Sequence, residues 1–597
     1  MGVISVKTLG GETFKLKYVK GETILSCLQR NNLPVNAVCG GAGKCHKCKI
    51  RVLPKKIGAD TSTVNRPGEL VLACQTILNE DIEIEFLQSS SVSSSVITQL
   101  GYEPPIEYNP SARKIFLEIR IQDYRDVKNN EEKIVEELKA KGVKITGFSP
   151  GIKDTLMPLF DTSKGRLTVT LRDGEIIHVE SGDKTRSHYG LALDIGTSQL
   201  SLFLVDLASG GNLDFISEVN LQTAYGGDVI SRLSFIMKHP INLQNVRETS
   251  FKQICAMINK IILKNKLNPS NIYEAVVVGN TLMMHIFHGA DPSGLAKHPY
   301  TSSMKQAKNA NARTYNLGVN KLANIYSPPN ISGYIGADIA AGIIASGIYK
   351  PGENCLLIDI GTNTEMILRC NNRFYGCSTP SGPAFEGGQL KHGMRADKGA
   401  IESVFIDPDN YDVKFRTVGG AEPVGICGSG IIDAIMEFRK VGAIEADGRI
   451  DSRHELTATI DSGKHLILTY KVNGEPISIS QDDVREIQKA KAAIQAGYLA
   501  LLNYSECGLD QLEGVIIAGS FGLHINLDSG RGLGIIPMVG EDKIKYLGNL
   551  AGSGARLILK NVGTRSICES LPSKVEYVEL GQLKIFQDLW LKSLNIK

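Results

Sequence analysis

Two stretches of the chain share one pattern: Leu191-Ala-Leu-Asp194-Ile-Gly196-Thr197-Ser198 and, 165 residues later, Leu357-Ile-Asp359-Ile-Gly361-Thr362-Asn363. Each stretch follows an apolar segment of strand character and leads into another, so each predicts a strand–loop–strand hairpin. The glycine of such a loop lets the backbone approach a ligand closely, the N–H groups and hydroxyls can bind phosphate oxygens, and the aspartate can hold Mg²⁺ through water. Two copies at domain-sized spacing predict duplicated lobes, with a cleft between them and one loop on each wall.

These hairpins supply the candidate nucleotide site. We predict that Asp194 and Asp359 are catalytic. We also predict that the nucleotide is bound by Gly196, Thr197, Ser198, Gly361, Thr362 and Asn363. A single Asp-x-Gly-Thr could be no more than a tight turn, so the repetition carries the argument. The chain contains no G-x4-G-K-[ST] motif, which excludes a P-loop as the route to ATP.

The composition is typical of a multidomain protein of the cytoplasm. A chain of 597 residues exceeds one compact core, and a net charge of +3 without a basic tail argues against a dedicated nucleic-acid binder. The first ten residues form no apolar signal segment, and no apolar run reaches the ~18 residues of a membrane span. We therefore predict a cytoplasmic location, with neither nucleic acid nor membrane as a partner.

Shifts in composition divide the chain into four segments. Residues 1–87 predict a compact β-rich domain, and the Ser/Pro-rich stretch 88–111 predicts a flexible linker with an r.m.s. span of roughly 25–30 Å. Residues 112–187 predict a small α/β middle domain whose hairpin turns at Asp173-Gly174. In residues 188–597, strands that end in Gly-rich loops alternate with helices, which is typical of a larger α/β region.

Four of the 12 cysteines form a cluster near the amino terminus. Cys39, Cys45 and Cys48 have C-x5-C-x2-C spacing, and Cys74 follows at a distance. In a reducing cytosol, clustered cysteines indicate metal binding rather than disulfides. Three thiolates from one loop and a fourth from a separate segment approach the plant-type [2Fe–2S] ligand pattern. A four-cysteine zinc site is the alternative, but it normally shows two C-x2-C pairs, and only one is present here.

Basic residues surround this cysteine loop. They either compensate the negative charge of a cluster or form a docking face for an acidic electron donor or acceptor. The residues are Lys44, Lys47, Lys49, Arg51, Lys55 and Lys56.

The motifs resemble two known folds. Residues 1–87 resemble a ferredoxin of the β-grasp type, and residues 188–597 resemble the acetate/sugar kinase–Hsp70–actin superfamily, whose ATPase is a duplicated, ribonuclease H-like fold. The second resemblance implies that the two Asp-Ile-Gly-Thr stretches are phosphate loops and that Ile516-Ile-Ala-Gly519-Ser520-Phe-Gly522 is the adenosine motif.

The same resemblance assigns roles to three further stretches. The Gly428-Ser429-Gly430 turn opens a helix where a phosphate would meet N–H groups, with helix–sheet packing as the alternative. The segment from Ser381 to Gly388 would close over the nucleotide. A helix is predicted to start at Asp482, because Ser480 and Asp483 form a capping-box pattern and apolar residues recur along one face of the helix. On this helix, Gln488 and Lys491 either reach the adenine or form a solvated charged face.

The order of the four segments resembles the reductive activators of corrinoid proteins, as do Gly227-Asp-Val-Ile-Ser-Arg232 and Gly279-Asn280-Thr281. That resemblance implies an ATP-hydrolysing iron–sulfur reductase with a [2Fe–2S] cluster, ATP and Mg²⁺. It would pass one electron to the Co(II) corrinoid of a partner protein in a methyltransferase system, which restores Co(I). It also implies a low-potential electron donor and leaves a homodimer open. None of the 11 histidines has Asp two residues before it, so the D-x-H-x-x-G loop is absent and the corrinoid is expected on the partner.

Three other functions stay open at this point. One is an ATP-coupled electron-transfer activator of the 2-hydroxyacyl-CoA dehydratase type, which normally lacks a ferredoxin domain. Another is a redox-regulated small-molecule kinase. The third is a non-enzymatic, actin-like scaffold.

Overall fold

The computed structural model describes residues 2–7, 13–30, 48–53, 70–86, 100–119, 127–519 and 525–597. Several residues singled out above lie outside these ranges: Cys39, Lys44, Cys45, Lys47, Lys55, Lys56 and Ser520. In the described part of the chain, no helix combines the length and apolar character needed to cross a membrane.

The amino-terminal domain is a five-stranded mixed sheet packed against one helix. Its elements are β1 (Gly2–Lys7), β2 (Thr13–Tyr18), α1 (Ile24–Arg30), β3 (Lys49–Leu53), β4 (Leu70–Leu72) and β5 (Glu83–Phe86). The strand order is β2-β1-β5-β3-β4, and β5 runs parallel to β1. The domain has its own hydrophobic core, in which Ile4, Leu28 and Ile84 are fully buried. This arrangement confirms the β-grasp prediction.

A four-stranded sheet with two helices follows. Its elements are β6 (Ala112–Glu118), α2 (Val127–Ala140), β7 (Gly147–Phe148), α3 (Lys153–Ser163), β8 (Arg166–Arg172) and β9 (Glu175–Ser181), in the strand order β6-β8-β9-β7. The predicted hairpin turn lies between β8 and β9. Both turn residues have positive φ, 50° at Asp173 and 82° at Gly174, as this turn type requires.

The first lobe is built on a six-stranded sheet. Its strands are β10 (Tyr189–Ile195), β11 (Gln199–Asp206), β12 (Asn212–Val219), β13 (Ile272–Gly279), β14 (Lys308–Asn311) and β15 (Asn324–Ser327). Its helices are α4 (Val229–Lys238), α5 (Ile241–Lys264), α6 (Thr281–His288), α7 (Ala312–Tyr315) and α8 (Ala337–Ser346). The strand order is β12-β11-β10-β13-β15-β14.

The second lobe has a six-stranded sheet and two three-stranded sheets. Its strands are β16 (Cys355–Ile360), β17 (Thr364–Cys370), β18 (Arg373–Thr379), β19 (Ala400–Ile406), β20 (Val413–Thr417), β21 (Gly425–Ile426), β22 (Thr457–Ile460), β23 (Gly463–Tyr470), β24 (Pro476–Ser480), β25 (Gly514–Ala518), β26 (Ile544–Gly548) and β27 (Val575–Tyr577). Its helices are α9 (Gly428–Lys440), α10 (Gln481–Tyr504), α11 (Leu527–Gly532), α12 (Leu550–Lys560), α13 (Gly563–Lys574) and α14 (Lys584–Ser593). The orders are β26-β25-β16-β17-β18-β27, β20-β19-β21 and β22-β23-β24.

The two large sheets repeat one topology. In the first lobe, β10, β11 and β12 form an antiparallel meander, and β13 and β15 extend the sheet in parallel beside β10. In the second lobe, β16, β17 and β18 form the meander, and β25 and β26 take the parallel positions. The duplicated, actin-like α/β fold predicted from the repeated hairpin is confirmed.

Helix α12 connects the two lobes. It follows β26 of the second lobe, yet its side chains belong to the hydrophobic core that surrounds the first sheet. A Cβ added at Gly554 would stand 2.0 Å from the carbonyl oxygen of Ala341 on α8, so glycine permits a close approach of the two helix backbones. This contact packs α12, which follows β26 of the second lobe, directly against α8 of the first lobe.

The second half of the predicted linker is bound to this helix region. The N–H of Tyr102 donates to Leu547 O at 2.8 Å, and the N–H of Asn109 donates to Lys560 O at 2.8 Å. Glu103 forms ion pairs with Arg556 and Lys560, both on α12. These contacts contradict the flexible linker predicted for residues 100–111, which we call the docking segment. The other half of the predicted linker, residues 88–99, lies outside the described residues.

Candidate nucleotide site and cluster ligands

A cavity of about 600 Å³ lies between the two lobes, at the ends of the strands that carry the repeated motif. Eleven of the predicted residues line it: Asp194, Gly196, Thr197, Ser198, Asp359, Gly361, Thr362, Asn363, Gly428, Ser429 and Gly519. Gly430 is not part of the lining. A Cβ added at Gly430 would stand 2.1 Å from Ile401 O, so helix–strand packing, the alternative for this stretch, accounts for that glycine.

The two loops face each other across the cavity. The hydroxyl oxygens Oγ of Ser198 and Oγ1 of Thr362 are 3.3 Å apart, although the residues lie on different lobes. Arg395 Nη2, from the second lobe, donates to Ser198 O at 3.3 Å. The cleft with one loop on each wall thus exists as the repeat predicts, and hydroxyls and a guanidinium bridge it.

The segment that begins at Ser381 supports the second loop from behind. Ser381 Oγ donates to Gly361 O at 3.0 Å, and Gly382 N donates to Thr362 O at 2.9 Å. Further along, Thr362 Oγ1 donates to the Glu386 carboxylate at 2.9 Å, and Glu386 lines the cavity. Closure over the nucleotide stays a prediction, whereas these contacts place the segment beside the loop.

Four carboxylates meet at the cavity: Asp194, Asp338, Asp359 and Glu365. Burial raises the pKa of Asp194 to about 6, although a hydrogen bond from Asn549 acts to lower it. Burial, and then the charge of Asp194, raises the pKa of Asp359 to about 7. Burial, together with the charges of Asp359 and Asp194, raises the pKa of Asp338 to about 8. The pKa of Glu365 is raised as well, first by burial and then by Asp338. Such a group attracts a cation.

The carboxylates do not form a closed metal cage. Among the residues that the structure describes, no three His, Cys, Asp or Glu side chains converge closely enough to hold a metal ion directly. A divalent cation here would complete its shell with water and with phosphate oxygens, as Mg²⁺ usually does. The donor chemistry therefore fits Mg²⁺ bound together with a nucleotide.

Sequence reasoning missed several lining residues. Asp338 lies in the first turn of α8, and Asn280 and Asn549 are the N-cap residues of α6 and α12. All three reach the cavity through the tertiary fold. Glu365 could have been found, because a three-residue loop places it directly opposite Asp359 in the β16–β17 hairpin. Like charges directly opposite each other destabilise a sheet, which is itself a signal of function.

Neither interpretation of Gln488 and Lys491 is correct. The capping box at Ser480 and Asp483 is confirmed, and so is the buried apolar face of α10. The side chain of Gln488 donates to Leu594 O at 2.7 Å and that of Lys491 to Asn595 O, and both residues are buried. Neither lines the nucleotide cavity, so both side chains anchor the carboxyl-terminal residues.

Two of the four predicted cluster ligands lie in the described residues. Cys48 precedes β3, Cys74 follows β4, and their Sγ atoms are 3.3 Å apart. Neither cysteine is in a disulfide and both are buried, Cys74 at 9% exposure. Two adjacent, unlinked thiols from separate segments fit iron ligation. Nearby, Arg51 forms an ion pair with Glu85 on β5.

Comparisons with known proteins match this architecture along the chain. Residues 7–79 match a family described as a 2Fe-2S iron-sulfur cluster binding domain, residues 189–351 the RACo middle region, and residues 353–597 the C-terminal domain of RACo, the ASKHA domain. The RACo middle region thus corresponds to the first lobe rather than to residues 112–187.

Two curated relatives and one solved structure extend the likeness. Corrinoid activation enzyme RamQ of Eubacterium limosum is 31% identical over 569 residues, which cover 92% of each chain. The [Co(II) methylated amine-specific corrinoid protein] reductase of Methanosarcina barkeri is 28% identical over 68% of this chain and 77% of its own. A solved structure described as a reductive activator for corrinoid, iron-sulfur protein is 29% identical, with a TM-score of 0.77 over 100% of this chain and 98% of its own.

Proposed function

Because the chain belongs to the family of reductive activators of corrinoid proteins, we propose that it is an ATP-dependent reductase that restores the Co(I) state of a partner's corrinoid. Its substrate is the Co(II) corrinoid of a protein in a methyltransferase system, which receives one electron. The observation that carries the proposal is the similarity to a corrinoid activation enzyme along 92% of both chains.

The amino-terminal domain serves as the electron carrier. Cys48 and Cys74 would hold a [2Fe–2S] cluster together with Cys39 and Cys45. When bound, the cluster supplies single electrons at low potential. Among the described residues, the protein's own contribution there is a pair of thiols that are themselves buried.

The cavity between the lobes is the proposed ATP site. The N–H groups and hydroxyls of the two loops would bind the phosphates. Asp194 and Asp359 would orient the water shell of Mg²⁺, whose charge offsets that of the carboxylates and the phosphates. A phosphate between the loops would take over the hydroxyls of Ser198 and Thr362, which now contact each other. Nucleotide binding therefore changes the contact between the lobes.

This change offers a way to couple ATP to electron transfer. Moving one electron uphill by 100 mV costs about 2.3 kcal/mol. Binding of ATP with different affinity to two arrangements of the lobes, followed by hydrolysis, can supply several such steps. A low-potential electron donor in the cytoplasm would reload the amino-terminal domain.

An anaerobic assay with a purified Co(II) corrinoid protein tests the proposal. Co(I) absorbance should appear with the reduced activator and ATP, and neither ADP nor omission of nucleotide should support it. Cys74→Ala should abolish the reaction and the EPR signal of the reduced protein, whereas Cys255→Ala, in the first lobe, should change neither. Equal reduction without ATP contradicts the proposal, and a phosphorylated small-molecule product would favour the kinase alternative.

A further inference from the structure

The carbonyl oxygens of the first phosphate loop are all held by other residues. Asn220 Nδ2 donates to Gly196 O at 2.8 Å, and Arg232 Nη2 donates to Thr197 O at 2.9 Å. The backbone N–H of Asn220 donates to Ser198 O at 3.0 Å. Asn280 Nδ2 also donates to the Thr197 hydroxyl at 2.8 Å. These contacts turn the negative ends of the peptide dipoles toward the protein.

Two of the three N–H groups of the same loop are left for a ligand. The Gly196 N–H donates to Gln199 O at 2.9 Å, whereas in the described part of the chain the N–H groups of Thr197 and Ser198 have no hydrogen-bond acceptor. A loop whose carbonyls are occupied and which offers two adjacent free N–H groups is an anion site. It faces the cavity that we assign to the nucleotide.

Arg232 adds a full positive charge directly behind this loop. Its side chain is completely buried on α4, and its other contacts are Gly226 O at 2.9 Å, Gln222 Oε1 at 3.4 Å and Met283 Sδ at 3.2 Å. All of these are neutral groups. Asp228, the N-cap residue of α4, is the carboxylate whose charge acts on the guanidinium, but it accepts a hydrogen bond from the Ser231 N–H, and no ion pair joins it to Arg232 in the described structure. Burial lowers the pKa of Arg232 to about 10 against the opposing charge of Asp228, so the side chain stays charged at neutral pH.

A buried charge that lacks a direct ion pair is costly, and natural proteins usually provide one. The second loop shows that a cation is not required to hold such a backbone. There, the Ser381 hydroxyl and the Gly382 N–H take the corresponding positions behind Gly361 and Thr362. The charge at Arg232 therefore needs a reason other than loop geometry.

We propose that Arg232 is a positioning residue for the phosphates of the nucleotide, holding the first loop with its N–H groups toward the cavity and supplying the charge that polyphosphate neutralises. The inference rests on the proposed function for the identity of the ligand, but not for the anion site itself. Arg232 acts through Thr197 and does not touch the ligand. It makes the first loop select phosphorylated ligands over adenosine.

The test compares affinities for tripolyphosphate, ATP and adenosine, measured by calorimetry on the full-length protein. Arg232→Gln keeps one hydrogen-bond donor toward Thr197 O but removes the charge. Arg232→Lys keeps the charge but replaces the planar guanidinium, with its several fixed N–H donors, by a single ammonium group. A hydrogen bond to a charged group is worth about 1.5–3 kcal/mol. We therefore expect Arg232→Gln to lower the affinity for tripolyphosphate and for ATP by about 10–100-fold. Adenosine affinity should stay unchanged, and Arg232→Lys should lie between Arg232→Gln and the wild type.

Arg369→Gln is the matched control. Arg369 is also a buried arginine that donates to backbone carbonyls, those of Ile348 and Glu353, but it lies at the end of β17 away from the loop. Its loss should lower stability without changing the preference for phosphorylated ligands.

Two results overturn the proposal: wild-type tripolyphosphate affinity in folded Arg232→Gln, or equal losses for adenosine and ATP. If Arg232→Gln does not fold, Arg232→Lys carries the test, and an equal loss for all three ligands overturns the proposal. Tripolyphosphate binding that depends on Arg232, in a protein that reduces no corrinoid, refutes the proposed function and leaves this inference standing. A wild-type protein that binds no phosphorylated ligand refutes both.

Discussion

Replacing Glu103 by Gln should release the docking segment from α12. The Glu103 carboxylate accepts hydrogen bonds from Arg556 Nε at 2.9 Å, from Asn212 Nδ2 at 3.0 Å and from Lys560. The side chains of Arg556 and Lys560 are only 1% and 8% exposed. The substitution therefore keeps the shape of the side chain but leaves two buried cations without their counter-charge.

The size of the effect follows from that burial. Removing one partner of a buried ion pair costs about 3–5 kcal/mol. The lower value applies here, because the Gln carbonyl can still accept one hydrogen bond and Glu103 itself is 17% exposed. About 3 kcal/mol corresponds to a roughly 100-fold change in the equilibrium between the docked and released segment.

Amide hydrogen exchange measures this equilibrium directly. The N–H groups of Tyr102 and Asn109 hydrogen-bond to Leu547 O and Lys560 O only while the segment is docked. In Glu103→Gln they should exchange about 100 times faster than in the wild type. Glu107→Gln is the matched control, because it removes the same charge from an exposed position of the same segment. Exchange as slow as in the wild type would refute the reasoning.

The pH dependence of docking of this segment on α12 has a definite sign. Burial opposes ionisation of Glu103, but the charge of Arg556 and the hydrogen bonds from Lys560 and Asn212 outweigh it and lower the pKa below 4.5. The ion pairs therefore stabilise docking fully above the ordinary pKa and are lost as the pH falls through the lowered value. The difference between Glu103→Gln and the wild type should be constant near neutral pH.

Three further predictions concern the nucleotide site and the tether. Asp359→Ala should lower ATP turnover by about 10²–10³-fold with the fold intact, and Asp194→Ala should behave similarly. Near-wild-type turnover in both variants would contradict their assignment as catalytic residues. Asp338 and Asp359 have pKa values raised from 3.8 to about 8 and about 7, so the nucleotide-free protein should lose stability as the pH rises from the ordinary value to the raised values, and should lose no more above them. Thermal unfolding would show this loss, and Asp338→Asn should reduce it. Deletion of Ser89–Ser95 should leave ATPase activity and cluster content unchanged but slow corrinoid reduction, and a full rate would rule out a mobile tether.

The parts of this protein that the sequence determined by itself are short-range. Turn chemistry predicted the hairpin at Asp173-Gly174, and the capping pattern predicted the start of α10 at Ser480. The repeated Asp-Ile-Gly-Thr loops predicted two lobes, because each loop and its flanking strands are encoded within a few residues. The cysteine spacing likewise predicted that Cys48 and Cys74 belong together.

Only the tertiary structure decided which distant residues share the cavity and which charges are buried. Asn549 reaches Asp194 across 355 positions of the chain, and Glu103 reaches Arg556 across 453. The local sequence pattern allowed Lys491 to lie on a solvated charged face, yet the carboxyl-terminal residues fold back and cover it. Periodicity and turn propensity depend on neighbours in sequence, whereas burial and electrostatics depend on every group that packs nearby. From the sequence alone, Arg232 is one position on an amphipathic helix. Only the tertiary structure shows that its side chain lies behind a phosphate loop.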